Sequence, residues 1–241
     1  MQSLAQNPLP LLLSPEHPCP YLPDRTARTE FLDLRAVSHR PDYAELLAQG
    51  FRRSGRYFYR PECTHCRACV PLRISVHEFK PDRSQRRVWQ RNQDLSVSLR
   101  PAEFLPEHYA LYRRYLAWKH AGAGMDDPSP LDYASLLMAR NHGTLLAQIH
   151  LQDQLVAVAA VDALDTAWSA VYTFYAPEAS PRSLGTFAIL WEIAEARRRG
   201  LQWLYLGYWV EASPKMSYKA RFLPHERLTG NGWQRISRKS C

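Results

Sequence analysis

The chain has 241 residues, 46% of them hydrophobic, which is enough for one large domain or two small ones with a buried core. Its 31 lysines and arginines against 23 aspartates and glutamates give a net charge of +8, which fits a nucleic-acid partner as well as an ordinary basic surface. No apolar run approaches the roughly eighteen residues of a membrane span, and the apolar stretch at 8–13 has no cationic residue before it, so we expect a cytosolic protein that does not enter a membrane.

The first 24 residues are rich in proline and cannot form a long helix, so we expect them to run extended over the surface. Cys19 lies in this stretch, either as a small buried hydrophobic residue or as a metal ligand. The alternating pattern at 29–37 predicts a strand, and 42–49 predicts a short helix that ends at Gly50.

Three of the five cysteines lie within seven residues. Cys63, Cys66 and Cys69 are each separated by two residues, a spacing that lets neighbouring thiolates bind one metal ion or cluster. The loop that carries them lies between two predicted strands, 56–59 and 70–76. Because cytosolic thiols stay reduced, the cysteines are better explained as ligands or catalysts than as a disulfide framework. With Cys19 as fourth ligand the site would hold zinc or an iron–sulfur cluster; a packed cluster of reduced thiols is the alternative.

A predicted helix that begins near Pro81 carries four arginines on one side. Three of them follow each other at intervals of four residues and the fourth lies beside them: Arg83, Arg87, Arg91 and Arg86. Like charges on one helix face repel each other where no acidic partner follows at i+4. The pattern therefore favours an anionic ligand over a merely solvated face.

A second, larger unit begins at about residue 96. The helix predicted at 106–121 has an aromatic stripe that is typical of a core-facing side. The loop at 122–130 contains Asp126 and Asp127, which are candidate acids or bases and equally candidate caps of the next helix, 131–140.

Three strands joined by short turns predict an antiparallel meander, 145–151, 155–163 and 168–175. A turn with Arg182 and Gly185 follows, then a helix at 187–199 and a buried strand at 203–206. This order of elements is that of the N-acetyltransferase fold, in which a glycine-bearing turn binds a pyrophosphate through backbone N–H groups. Only Arg182 and Gly185 match that turn here.

The predicted fold class is therefore α+β, in two domains. Residues 1–95 form an N-terminal module with the cysteines and the basic segment. Residues 96–241 form an acetyltransferase-like domain with a mainly antiparallel sheet and flanking helices.

Six short motifs occur together: Cys19-Pro-Tyr-Leu22, the cysteine triad with Val-Pro-Leu-Arg73, Ser84-Gln-Arg-Arg87, Arg182-Ser-Leu-Gly185, Leu206-Gly-Tyr-Trp209 and Lys215-Met-Ser-Tyr-Lys219. In this combination, over about residues 15–235, the chain resembles the aminoacyl-tRNA-protein transferases, and among them the bacterial aspartate/glutamate leucyltransferases. The resemblance implies transfer of leucine from leucyl-tRNA to the α-amine of proteins that begin with Asp or Glu, as a mark for degradation. Leu22 stands where the eukaryotic relatives have a second cysteine, so their metal binding does not transfer automatically.

An aminoacyl ester is already activated, so such an enzyme mainly positions its substrates and requires no cofactor for the transfer. A group must accept the proton of the attacking amine, and a donor must meet the oxyanion. The candidates are hydroxyls and carboxylates near the predicted strand ends: Tyr208, Tyr172, Tyr175, Asp126 and Glu211. Tyrosines on strands more often pack in the core than take part in catalysis. We except Tyr208 from this rule, because it lies in a turn at a strand end.

A site that accepts Asp and Glu but refuses their amides needs a fixed cation. Arg73 and Lys215 are the first candidates, followed by Arg56 and Lys219, and each is equally explained as an ordinary surface cation. For the acceptor end of the tRNA the candidates are the arginine-bearing helix and the glycine turn: Arg83, Arg86, Arg87, Arg91 and Arg182.

Two other functions would account for part of the pattern. An acetyl-CoA-dependent N-acetyltransferase would use the fold but needs the full glycine turn. A zinc-dependent nucleic-acid-binding module would explain the cysteines and the charge, but not the large apolar second unit.

Overall fold

The computed structural model describes residues 9–37, 41–119, 127–138 and 143–238. Its helices are α1 Tyr43–Ala48, α2 Arg83–Arg91, α3 Pro106–Lys119, α4 Pro130–Leu137, α5 Leu184–Arg198 and α6 Pro214–Ser217. Its strands are β1 Leu11–Leu13, β2 His17–Pro18, β3 Thr26–Ala27, β4 Thr29–Leu32, β5 Arg52–Ser54, β6 Tyr57–Pro61, β7 Val70–Ser75, β8 Leu95–Pro101, β9 Thr144–Leu151, β10 Gln154–Ala163, β11 Ala167–Tyr175, β12 Trp203–Trp209, β13 His225–Thr229 and β14 Gly232–Ile236. None of the helices in these ranges is long and apolar enough to cross a membrane.

An eight-stranded sheet forms the centre of the molecule, in the order β14-β13-β7-β12-β11-β10-β9-β8. All neighbours in it are antiparallel except β11 and β12. Strands β9 to β11 form the predicted meander, and β10 is almost entirely buried, because helices or strands cover both faces of the sheet there. The predicted class, α+β with a mainly antiparallel sheet and flanking helices, is confirmed.

Strand β7 comes from the N-terminal part of the chain but lies inside this sheet, between β12 and β13. Strand pairing therefore joins segments from both sides of residue 95. The domain division at that residue stays a prediction.

A second sheet, in the order β1-β4-β6-β5, packs with α1 on one face of the large sheet. Its core includes Leu46, Phe51 and Phe58, which meet Tyr205 of β12. Helix α5 packs on the opposite face of the large sheet, in a core that includes Leu204 of β12. Leu204 and Tyr205 belong to different cores because successive residues of a strand point to opposite faces. The strand β12 is thus enclosed between the small sheet and α5.

A buried ion pair fixes the small sheet against the large one. The Arg53 guanidinium donates through Nε and Nη2 to the two carboxylate oxygens of Asp162, which lies on β10. Tyr43 and Thr144 donate hydroxyl hydrogen bonds of 2.9 and 2.7 Å to the same carboxylate. Every oxygen of this buried charge is therefore satisfied, as a buried pair requires.

Several local predictions need correction. The strand predicted at 29–37 ends at Leu32. Helix α4 is capped by Ser129, which accepts a hydrogen bond from the Asp132 N–H group, and not by Asp127. In the aromatic stripe of α3 the rings of Tyr112 and Tyr115 are buried as predicted, because α3 packs against β10 and β11.

Candidate active site between two diverging strands

The two parallel strands β11 and β12 pair over three residues only, Ala167–Ser169 with Trp203–Tyr205. Beyond this point β11 stays paired with β10, while β12 stays paired with β7. Each strand has a register shift there, which leaves Val171 and Leu206 without a paired residue. Because such bulges bend a strand and increase its twist, β11 and β12 diverge and open a gap, which we name the cleft.

Arg52 of β5 fills the narrow end of the cleft. Its Nη1 donates to Ser169 Oγ at 2.9 Å and its Nη2 donates to the Ala170 carbonyl, both on β11. On the other side lies Gly207 of β12, where an added Cβ would be 3.3 Å from Arg52 Nε and where φ is +79°. Only glycine fits both the backbone conformation and the close guanidinium.

The positive charge of Arg52 is not balanced by an ion pair within the described ranges. Its two hydrogen-bond acceptors, Ser169 Oγ and the Ala170 carbonyl, are neutral. The side chain is half-buried, so water screens it only in part. The cleft therefore contains a fixed cation that is available to an anion.

Glu192 of α5 brings an acidic group to the same region. It is fully buried, and neither of its carboxyl oxygens has a hydrogen-bond partner among the residues described. Burial raises the pKa of Glu192 to about 8, and the nearby Arg52 opposes part of that rise. Glu192 in turn contributes to the raised pKa of Tyr218, about 12, after the larger effect of burial.

The predicted catalytic tyrosines have different positions. Tyr172 and Tyr175 lie on the diverging part of β11, half-buried against Tyr115 of α3, with ring centroids 6.3 and 5.0 Å away. Burial raises the pKa of both hydroxyls, which keeps them protonated as donors.

Tyr208 is buried and hydrogen-bonded within the fold. Its side chain is buried, and its hydroxyl donates to the Gly50 carbonyl at 2.9 Å, with the Tyr59 carbonyl 3.3 Å away. Because this hydroxyl already links β12 to the small sheet, the structure argues against its predicted catalytic role.

The two carboxylates predicted as bases receive no support from geometry. Glu211 lies in an exposed turn after β12. Asp126 lies outside the described residues. Its neighbour Asp127 forms an exposed ion pair of 2.7 Å with Arg113.

Of the cations predicted for the acceptor's acid, Arg73 needs correction. Its guanidinium is paired with Glu226 at 2.7 Å and lies over the rings of Trp203 and Trp233, at 3.9 and 4.2 Å from their centroids. The charge is therefore already balanced within the fold, which argues against a role in binding a second carboxylate. Sequence could not reveal this, because Glu226 is distant along the chain.

The other three cations predicted for the acceptor's acid differ in exposure. Lys215 is exposed after the end of β12, and Arg56 is exposed and donates to Tyr57 Oη at 2.8 Å. Lys219 is buried and donates from Nζ to the Tyr208 carbonyl at 2.9 Å. Burial, and then the charge of Arg52, lower the pKa of Lys219 to about 7.

The four N-terminal cysteines are all free thiols. Cys63 and Cys66 face each other in a β-bridge, and burial, followed by the neighbouring Cys19, Cys63 and Cys66, raises the pKa of the Cys69 thiol to about 12. Four thiols have the donor chemistry of zinc and iron–sulfur sites. As placed, however, no three Cys, His, Asp or Glu side chains of the described segments could share one metal ion. Metal binding by these cysteines stays a prediction.

The basic helix α2 begins at a capping box formed by Asp82 and Gln85. All four of its predicted ligand arginines are exposed: Arg83, Arg86, Arg87 and Arg91. Its C-terminal end contacts the turn before α5, since Arg91 donates to the Pro181 carbonyl at 2.6 Å. Arg182, also predicted to bind phosphate, is paired with Asp94 at 2.8 Å, so its charge is already balanced.

That turn connects the basic helix to the cleft. A Cβ at Gly185, in the first turn of α5, would lie 3.8 Å from the ring of Tyr175. The first turn of α5 has no side-chain cap. The start of α5 thus lies between the C-terminal end of α2 and Tyr175 of β11.

Two family profiles match the chain in succession. The N-terminal part of the arginine-tRNA-protein transferases matches residues 17–87, and their C-terminal part matches residues 107–229. The chain belongs to the arginine-tRNA-protein transferase family. It is therefore a transferase of the aminoacyl-tRNA-protein class, for which a tRNA and a protein are the substrates.

Curated relatives of this transferase match it over nearly their whole length. The aspartate/glutamate leucyltransferase of Nitrosococcus oceani is 51% identical over 222 residues, covering 92% of this chain and 93% of the relative. That of Marinobacter nauticus is 48% identical, covering 93% and 94%, and that of Halorhodospira halophila is 47% identical, covering 96% and 99%.

Solved structures resemble the transferase only distantly. L-PGS from Bacillus licheniformis has a TM-score of 0.46 at 13% identity, covering 70% of this chain and 50% of that one. An acetyltransferase from Streptococcus agalactiae has a TM-score of 0.31 at 14% identity, covering 44% and 68%.

The sequence predictions missed Arg52 and Glu192, the two charged groups at the cleft of the transferase. Glu192 left a signal, because it interrupts an apolar stretch of α5 in which Ile189 and Ile193 are buried. Arg52 left a weaker one. It lies two residues after Gly50, where the predicted helix ends, and nothing in the sequence separates it from the structural Arg53 beside it.

Proposed function

We propose that this transferase moves leucine from leucyl-tRNA to the α-amine of proteins that begin with Asp or Glu, and so marks them for degradation. The observation that carries the proposal is the set of relatives named aspartate/glutamate leucyltransferase, which are 47 to 51% identical and each covered for 93% or more of their length. The names of these relatives specify both the group transferred, leucine, and the acceptor residues, aspartate and glutamate.

The chemistry of the cleft supports this function. The ester bond of leucyl-tRNA is activated before it binds, so the enzyme gains most of its rate by holding ester and amine together, with no cofactor required for the transfer. Tyr172 and Tyr175 offer hydroxyl donors along one wall of the cleft, suited to orienting the ester or meeting the oxyanion.

Selection of an acidic acceptor is supported by Arg52. An acceptor beginning with Asn or Gln is nearly the same size as one beginning with Asp or Glu, so only charge separates them. A half-buried guanidinium whose partners are neutral provides that selection, because it gains a charge-assisted bond from a carboxylate alone. Lys219, in the same region, is less suited, since its lowered pKa leaves it partly neutral at pH 7.

We propose that the tRNA binds along α2 and at the turn before α5. The exposed arginines of α2 form a positive face that is in contact with this turn, and the turn lies beside Tyr175. A tRNA bound to that face by its phosphates would direct its aminoacylated end toward the cleft.

The test is a transfer assay with radiolabelled leucyl-tRNA and matched peptides beginning with Asp, Glu or Asn. We expect label in the Asp and Glu peptides and at least tenfold less in the Asn peptide. Arginyl-tRNA in place of leucyl-tRNA should give little product, and acetyl-CoA should give none. Label from arginyl-tRNA alone would overturn the leucyl donor, and acetylation of the peptides would support an N-acetyltransferase instead.

A further inference from the structure

Glu192 is a carboxyl group that the fold does not use. It lies in the middle of α5, fully buried, beside the apolar core residues Ile189, Ile193 and Ala196. Neither oxygen accepts a hydrogen bond from any described group. A buried polar group without a partner destabilises the fold, so an apolar side chain at this position would stabilise the helix packing better.

Few charged or titratable groups surround Glu192 among the described residues. The charged and titratable groups that face it are Arg52 from β5 and Tyr218 from the segment after α6, with Tyr175 of β11 next to Tyr218. Tyr218 is 39% exposed, whereas Glu192 is fully buried. Glu192 thus lies close enough to Arg52 of the cleft and to the partly exposed Tyr218 for their charges to interact.

A free guanidinium and a free carboxyl in one cleft match a ligand with one negative and one positive group. The N-terminal residue of an acidic acceptor is such a ligand, since its side chain is a carboxylate and its α-amine is an ammonium group at neutral pH. The Arg52 guanidinium matches the carboxylate of the acceptor's side chain, and the Glu192 carboxyl matches the acceptor's α-amine.

We propose that Glu192 binds the acceptor's α-amine and accepts its proton during transfer, as a catalytic residue. This inference rests on the proposed function for the identity of the acceptor. It assigns the general base, a role for which the sequence offered Asp126 and Glu211.

The acceptor's ammonium group first releases one proton to solvent, which leaves a neutral amine next to the Glu192 carboxylate. The amine nitrogen attacks the ester carbonyl carbon, a nitrogen–carbon bond forms, and one amine proton moves to the Glu192 carboxylate. The bond between that carbon and the ribose oxygen then breaks, and the Glu192 carboxylic acid returns the proton to the leaving oxygen. The products are an amide and a tRNA with a free hydroxyl, and Glu192 ends as the carboxylate.

The acidity of Glu192 suits this exchange. Burial raises its pKa to about 8, close to the value of about 7.7 to 8.0 for an α-amine. A base whose pKa matches that of its donor transfers protons efficiently in both directions. An ordinary exposed glutamate would be a weaker base toward the attacking amine.

The other carboxylates near the cleft are paired with an arginine or lie in an exposed turn. Asp162 is paired with Arg53, and Glu178 with Arg114 at 2.8 Å. Glu211 is exposed in its turn. Within the described ranges, Glu192 combines burial with freedom from partners as no other carboxylate does.

The experiment compares Glu192→Gln with the wild type in single-turnover transfer from leucyl-tRNA to an Asp-starting peptide. We expect the rate to fall about 10²–10⁴-fold, the range for loss of a general base, while binding of leucyl-tRNA changes less than about twofold. The matched control is Glu195→Gln on the same helix, whose carboxylate pairs with Arg198 and Arg199 on the surface. It should transfer at the wild-type rate.

The pH profile separates chemistry from structure. In the wild type the logarithm of the rate should rise with a slope of about 2 at low pH, since both the amine and Glu192 must lose a proton. In Glu192→Gln only the amine titrates, so the slope should be about 1. Glu192→Asp, which keeps the carboxyl group, should recover part of the rate and the slope of 2.

A Glu192→Gln variant that keeps more than a third of the wild-type rate overturns the proposal, and so does an unchanged slope. Circular dichroism and tRNA binding show whether Glu192→Gln folds. If it does not, Glu192→Asp and the wild-type pH profile test the proposal instead, and a wild-type slope of 1 overturns it. Should the wild type transfer arginine but not leucine, the leucyl function fails. The same comparison with arginyl-tRNA then still tests Glu192 by itself.

Discussion

Replacing Arg52 with methionine removes the unbalanced cation of the cleft at nearly constant volume. The guanidinium lies between Ser169 on β11 and Gly207 on β12, and its acceptors are a hydroxyl and a carbonyl oxygen. The buried pair of Arg53 and Asp162, which holds the small sheet in place, is not touched by the change. We therefore expect a folded enzyme that no longer distinguishes an acidic acceptor from its amide.

The size of the effect follows from the burial of the group. An exposed ion pair would contribute about 0–1 kcal/mol, too little to select one acceptor. A charge-assisted bond at a half-buried guanidinium contributes about 1.5–3 kcal/mol. At about 1.4 kcal/mol per factor of ten, the wild type should prefer an Asp-starting over an Asn-starting peptide by roughly 10- to 150-fold in kcat/KM, and Arg52→Met by less than about threefold.

The assay measures kcat/KM for the two peptides at saturating leucyl-tRNA. Two variants serve as controls: Lys215→Met removes an exposed cation after the end of β12, and Arg73→Met removes a cation already paired with Glu226. Both should keep the preference for Asp, although Arg73→Met should unfold at a lower temperature because it loses that pair. Arg52→Lys should keep part of the preference, since lysine retains the charge but not the planar fork.

If Arg52→Met binds leucyl-tRNA normally and still prefers the Asp peptide by tenfold or more, Arg52 does not bind the acceptor's acid. Loss of the preference in Lys215→Met instead would place the acceptor's side chain beyond the end of β12. Equal loss of kcat/KM for both peptides would show that Arg52 positions the strands and not the acceptor.

Three further predictions concern tRNA binding and stability. A quadruple alanine variant of the α2 arginines should weaken binding of all tRNAs alike and lower the slope of log K against log salt by up to about one unit per arginine removed, which a salt titration checks: Arg83, Arg86, Arg87 and Arg91. Asp162→Asn should lower the free energy of unfolding by about 3–5 kcal/mol in urea, because it leaves Arg53 buried without its counter-charge; a loss below 1 kcal/mol would contradict this. His225 is buried, its Nδ1–H donates to the Phe222 carbonyl at 2.9 Å and its Nε2 accepts from Arg227 at 3.0 Å. Burial lowers the pKa of His225 to about 4, below the unfolded value of 6.5, so the unfolded chain binds the extra proton and stability should fall as pH drops from 6.5 towards 4, by up to about 1.4 kcal/mol per pH unit. The His225→Gln variant should lose less over the same interval.

Much of the fold could be predicted because it depends on local patterns. The alternating and continuous apolar runs at 145–175 predicted the meander, since a strand buried on both faces must be apolar at every position. The stop at Gly200 and the apolar pattern before it predicted α5. The one-sided arginines of α2 are exposed together because helical spacing alone brings positions four apart to one face.

Secondary structure was less predictable where it depends on distant partners. The pairs of β7 are β12 and β13, more than a hundred residues away in the chain, so no local signal could place it inside the large sheet. The bulges at Val171 and Leu206 are likewise products of pairing. They decide where β11 and β12 separate, and therefore where the cleft lies.

The sequence by itself determined the family, through motifs spread along the chain, and it determined that the protein carries a surplus of arginine. Only the tertiary structure decided which of Arg52 and Arg73 is paired with a carboxylate among the described residues. Arg73 and Arg52 look alike in sequence, but Glu226 neutralises the first across the sheet, whereas the second faces neutral oxygens in the cleft. The availability of a charge depends on what surrounds it within a few ångströms, and for both residues those neighbours come from strands far away in the chain.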